Sequence, residues 1–155
     1  MFLASLLAAL HYVALGLGLA GLFLRGTAIK SLPPSPQASD LRILFLGDNL
    51  WGVAAGLWIV TGLLRAFAGI EKTSEYYLHN GFFYVKLGLF LLIFLLELRP
   101  MILLIRWRLA IKKNLSFDGV TPLQAMRRIN SWEIALTLCI PFVAAAMARG
   151  LWLFA

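Results

Sequence analysis

Four apolar runs, each about as long as a bilayer is thick, decide what this chain can fold into. A helix needs roughly 20 apolar residues to cross the hydrocarbon core. Runs of that length start near Phe2, Ile43, Gly81 and Ile129. In lipid every backbone polar group must be satisfied within its own segment or in a closed barrel. Four continuous apolar runs without strand-like alternation therefore predict an all-α, polytopic membrane protein, a four-transmembrane-helix bundle. Composition agrees: 61% of the 155 residues are hydrophobic and 14% are charged, and mean hydropathy is +0.86. Soluble domains carry roughly 25% charged residues. The length predicts a single membrane domain over residues 1–155, with helices at about 2–25, 42–69, 80–105 and 123–154 and a basic cytoplasmic loop at 106–122. Met1–Ser5 lacks Lys and Arg, so the first run reads as a retained helix, not a cleaved leader.

The net charge of +7 comes from 14 Lys and Arg against 7 Asp and Glu. These charges flank apolar runs, where they meet anionic headgroups and set topology. Nucleic-acid binding is excluded as a reading on that ground. The first and third connections are basic (Arg25, Lys30 and Arg42; Arg106, Arg108, Lys112, Lys113, Arg127 and Arg128), whereas Glu71 and Glu75 offset the second. Positive-inside counting predicts a multi-pass protein with both termini outside and the first and third connections in the cytoplasm. The single cysteine, Cys139, rules out an intrachain disulfide and any cysteine-based cluster.

Ionisable groups at membrane depth are expensive and mark function by default. His11 shares a helical face with Ala14, Gly18 and Gly21, and Asp48 one with Gly52, Ala55, Ile59 and Gly62. Small residues on such faces let a helix or a flat ligand approach closely. His79, Lys86 and Glu97 are spaced seven and eleven apart, within about 20° of one another on a helix. Sorted by depth, the groups form two layers. The outer one has His11, Arg65, Lys86 and Arg149, cations beside a histidine that invite an anion or a quinone oxygen. The inner one has Asp48, Glu97, Arg99, Asn130 and Glu133, of mixed sign and able to pair internally. The tryptophans, Trp51, Trp58, Trp107, Trp132 and Trp152, read as interfacial anchors. Residues Met101 to Lys113 read as a segment lying along or just inside the cytoplasmic surface, and Pro100 as a kink or a membrane exit. Gly-rich phosphate loops, metal-spaced His/Cys sets and nucleophile–base pairs are missing.

The stretches Asp48–Arg65 (DNLWGVAAGLWIVTGLLR) and Tyr76–Leu87 (YYLHNGFFYVKL) belong with two further runs, Glu97–Pro100 followed by Arg106–Arg108, and Met147–Gly150. Together they resemble an uncharacterised bacterial family of four-helix integral membrane proteins, a domain of unknown function, which implies a multi-pass protein of the bacterial inner (cytoplasmic) membrane. More distantly, His11, Lys86-Leu87 and Arg128-Ile129-Asn130 are similar to positions of the HemJ-type protoporphyrinogen oxidases and the copper-resistance protein D membrane domain. That second resemblance implies haem b or porphyrin as cofactor. His11 would be an axial ligand of the haem iron, and Lys86 a second ligand or propionate partner. The chain departs from that pattern at the end of its third run, where Glu97 and Arg99 stand in place of a histidine.

Three functions follow as expectations. The first is an intramembrane haem, porphyrin or other redox site, serving electron transfer or porphyrin oxidation with a membrane partner. The second is a non-enzymatic accessory subunit of a larger respiratory or photosynthetic complex, its small-residue stripes making protein contacts. The third is proton-coupled transport through Asp48, Glu97 and Glu133, which would require a homo-oligomer.

Overall fold

The computed structural model describes residues 2–33, 36–70, 72–113 and 123–154. Four long helices carry the fold: α1 (Phe2–Ser31), α2 (Arg42–Phe67), α4 (Gly81–Lys112) and α5 (Leu123–Ala148), with a five-residue α3 (Ser74–Leu78) before α4. All four are long and apolar enough to span a membrane. At 1.5 Å per residue, α4 with its 32 residues is about 48 Å long, well beyond the ~30 Å hydrocarbon core. Large apolar side chains stay exposed along every span, including Phe23, Val53, Leu91 and Phe142. Lipid solvates this surface.

The helix ends differ from expectation at three places. α1 runs on past Arg25 to Ser31, so Arg25 is a helical residue and not a loop residue. α4 passes through a buried Pro100 and continues to Lys112. Arg106 to Lys112 are therefore helix, and only residues 114–122 of the expected loop lie outside the described residues. The segment after Pro100 buries one of its faces. Leu104 and Trp107 pack with Ala28, Ile29, Leu41, Leu44 and Met126 in a core cluster at the end of the bundle that bears the basic connections. α5 stops at Ala148, six residues short of the expected 154, and residues after it turn back over α4.

That return is anchored by backbone bonds: Gly81 N–H donates to Trp152 O at 2.9 Å and Phe154 N–H to His79 O at 2.8 Å. The Trp152 ring lies on Gly81, where a Cβ would come within 2.4 Å of it. Asn80 caps α4 by accepting from Phe82 N–H.

α1 packs most closely on α2, and α5 bridges α1 to α4. The α1–α2 crossing depends on two glycines. A Cβ on Gly21 would stand 2.7 Å from Gly47 O, and one on Gly47 would stand 2.6 Å from Arg25 N. Ala14, Gly18 and Gly21 face inward on α1 as their spacing predicts. On α2 the inward set is Leu44, Gly47, Trp51, Ala54, Trp58 and Thr61. Gly52 and Ile59, expected inside, are exposed. Trp51, Trp58 and Trp107 are buried in the bundle, and only Trp132 and Trp152 of the five have the exposure of interfacial anchors.

Candidate functional site

Two polar sites occupy opposite halves of the bundle, separated by an apolar middle of Ala14, Leu22, Trp51, Trp58, Ile93 and Ile140. One is at the basic end; the other is near the end where both termini lie.

At the basic end the organising group is Arg25, fully buried on α1. The close approach at Gly21 and Gly47 brings α1 and α2 together and carries its guanidinium toward Asp48, 3.5 Å away. Nη1 donates to both oxygens of Glu97 at 2.9 Å, Nη2 to Glu133, and Nε to Asn130 Oδ1 at 2.8 Å. The planar fork thus serves three helices at once, a geometry lysine does not offer. Asn130 in turn donates from Nδ2 to Leu22 O at 3.1 Å. Gly26 leaves space for it, since a Cβ there would stand 2.8 Å from Asn130 Nδ2. Arg108 extends the network, pairing with Asp48 at 2.8 Å and lying 4.7 Å over the Phe45 ring. Trp51 Nε1 donates to Glu97 at 3.0 Å.

The structure therefore unites four members of the expected inner layer, Asp48, Glu97, Asn130 and Glu133. Arg99 is exposed and lines a separate recess with Gln124 and Arg128. The cations that complete the cluster are Arg25 and Arg108, which read as loop residues in the sequence. The signal for Arg25 was present: His11, Ala14, Gly18, Gly21 and Arg25 follow one another at steps of three and four along one face.

Near the terminal end, His11 Nδ1 is 2.8 Å from Thr61 Oγ1. Thr61 has one hydroxyl proton, and its oxygen lies 2.6 Å from Leu57 O, the carbonyl one turn back. Donating there, Thr61 accepts from His11 Nδ1–H. Nε2 is then the ring nitrogen with a free lone pair. Trp58 steadies the same turn of α1 by donating to His11 O at 3.1 Å.

His11, Trp58, Gly62, Phe83, Lys86 and Ile140 line both of two adjoining recesses, of about 200 and 180 Å³. The first also takes in Arg65 and Lys72, and the second reaches the exposed Ile59, Leu63, Phe67 and Leu87. It thus opens sideways between α2 and α4 onto the lipid-facing surface. This lateral cleft follows from the packing: near the basic end α2 and α4 are tied by Asp48–Arg108 and Trp51–Glu97, whereas near the terminal end the cleft lies between them.

Of the expected outer layer, His11, Arg65 and Lys86 meet at the cleft. Arg149, exposed in the turn after α5, does not line it. Lys72 takes its place as a third cation at the rim, 3.2 Å from Ala148 O and 3.6 Å over the Tyr76 ring. His79 lies outside the spans, with Nδ1 2.9 Å from Glu75 O. Among the described residues no group of three or more His, Cys, Asp or Glu converges as a metal site. Cys139 is exposed, not packed in the core.

The chain belongs to the family described as "Predicted membrane protein (DUF2214)", whose model matches residues 3–151. No curated protein and no solved structure matches it.

Proposed function

We propose that the cleft between α2 and α4 takes up a flat, membrane-soluble ligand bearing acceptor oxygens, and that haem b or a porphyrin is the class it suits. The protein would then serve electron transfer or porphyrin oxidation together with a membrane partner. The observation that carries this reading is the His11–Thr61–Leu57 relay. It orients a neutral imidazole so that Nε2, the nitrogen a haem iron takes, is left available on a residue lining both recesses. Lys86 and Arg65 stand beside it as cations able to meet propionates.

Size limits how such a ligand would sit. Enclosed sites for small molecules measure roughly 300–1,000 Å³, and neither recess reaches that. A macrocycle would use both, meeting at His11, with one edge toward lipid past Leu63 and Leu87. Trp58 and Phe83 supply aromatic walls, and Gly62 keeps the space beside the imidazole open, since a Cβ there would lie 3.7 Å from His11 Cε1. A bound haem would supply one-electron chemistry. The chain's part is to hold the imidazole tautomer, meet the acidic substituents and exclude water from the ring faces.

The test is an absorption spectrum of the protein purified in mild detergent with haem supplied. A Soret band that shifts or disappears in His11→Ala, and weakens in Lys86→Met, is expected. No band, or one indifferent to His11→Ala, overturns the reading. A parallel titration with a short-chain quinone separates a tetrapyrrole site from a quinone site.

A further inference from the structure

The charges in the basic-end cluster do not balance. Asp48, Glu97 and Glu133 are held by Arg25 and Arg108, the cations bonded to them among the described residues. Fully ionised, three carboxylates against two guanidiniums leave one surplus negative charge within a helix bundle, where an uncompensated charge is costly.

A second, independent feature locates the deficit. Glu133 is fully enclosed, and while its Oε2 accepts from Arg25, its Oε1 has no donor among the described residues. Three donor groups around the cluster make their hydrogen bonds elsewhere. Asn130 Nδ2 bonds to Leu22 O, Trp51 Nε1 to Glu97, and Arg25 Nε to Asn130. Glu97 is the remaining neighbour, held on the same guanidinium. Two ionised carboxylates offer only acceptors to each other, so Glu97 can partner Glu133 only if a proton lies on one of them. One turn along the same helix the Thr137 hydroxyl is also fully buried and has no partner among the described residues.

We infer that the Arg25 cluster is a proton-binding site, holding one exchangeable proton between the Glu97 and Glu133 carboxyls. A proton removes the surplus charge and supplies the missing donor without needing volume. Arg25 and Arg108 leave the site overall neutral with the proton bound and singly negative without it, as a group that takes up and releases protons at membrane depth requires. The site is independent of the cleft reading, and failure of haem to bind would leave it standing.

Infrared spectroscopy of the full-length protein in lipid nanodiscs, in H₂O and D₂O at neutral pH, tests this directly. The expected result is a C=O band of a protonated carboxyl that moves to lower frequency in D₂O. Glu133→Gln and Glu97→Gln, which keep shape and hydrogen-bonding size, should each abolish it, because either leaves two carboxylates against two guanidiniums. Arg108→Gln leaves three against one and should strengthen the band roughly twofold. Absence of the band from the unsubstituted protein overturns the inference, as does a band that both glutamine variants leave unchanged. A band appearing only when sodium and potassium are replaced by choline would assign the site to an alkali cation, and overturn it too.

Discussion

The Trp51 and Trp58 rings meet edge to face with centroids 6.3 Å apart, and their indole N–H groups end in different polar sites. Trp51 donates to Glu97 in the arginine cluster, and Trp58 donates to the carbonyl of His11 beside the cleft. Seven residues apart on α2, they form the apolar wall that divides the two sites while touching both. Replacing either with Phe keeps a ring and deletes one hydrogen bond. Trp51→Phe should cost about 1.5–3 kcal/mol because its acceptor is a carboxylate, and Trp58→Phe only about 0.5–1.5 kcal/mol. Equilibrium unfolding of both variants in mixed micelles reads the difference; equal losses would show that packing, not the N–H partner, governs.

Arg25 is the residue on which the basic end depends. Arg25→Leu leaves Glu97 and Glu133 buried without their guanidinium and should destabilise by about 3–5 kcal/mol. Arg108 is partly exposed and among the described residues bonds Asp48 and the Phe45 carbonyl, so Arg108→Gln should cost less than Arg25→Leu. The same unfolding assay separates the two arginines by rank.

The glycines make a matched pair of tests. Gly47→Ala drives a methyl to within 2.6 Å of Arg25 N and should cost about 1–3 kcal/mol by forcing α1 and α2 apart. Gly52, exposed and with nothing from another helix within 4 Å of its would-be Cβ among the described residues, should tolerate alanine and gain up to about 1 kcal/mol from helix propensity. If both respond alike, the inward face of α2 is not the one described.

Gly81→Ala should release the terminal segment, because the new methyl would fall 2.4 Å from the Trp152 ring. Hydrogen exchange at the amides of residues 81 and 154, protected by bonds to Trp152 O and His79 O, should then accelerate while exchange in α1 is unchanged.

In the cleft, Thr61→Val removes the hydroxyl that receives His11 Nδ1–H at nearly constant volume. The imidazole then loses its fixed tautomer, and haem affinity should fall by about tenfold or more, as loss of an outer partner of a metal-ligating histidine generally does. Titration of haem against the Soret band measures it.

Much of this architecture was legible in the sequence. The four spans were, because length and hydropathy are local properties that lipid reads directly. The inward face of α1 was legible in Ala14, Gly18 and Gly21, since small residues at steps of three and four mark close approach. His11, Lys86 and Arg65 lie together at the cleft, and Asp48, Glu97, Asn130 and Glu133 around Arg25, as the ordering by depth suggests. Arg149 and Arg99 lie apart from those groups, because depth says nothing about rotation around a helix axis.

The rotation of each helix, and with it the identity of the partners, came only from tertiary structure. In water the buried face announces itself by being apolar, but in lipid both faces are apolar and that contrast vanishes. So the inward set on α2, shifted by one residue from Gly52 to Trp51, was invisible until α1 lay against it. So was Arg25, which looks like the end of a span when read along the chain. The crossing at Gly21 and Gly47 turns it into the centre of one. Sequence by itself determined that this chain crosses the membrane four times with charges it must account for; only the packing decided that one arginine gathers the three carboxylates Asp48, Glu97 and Glu133.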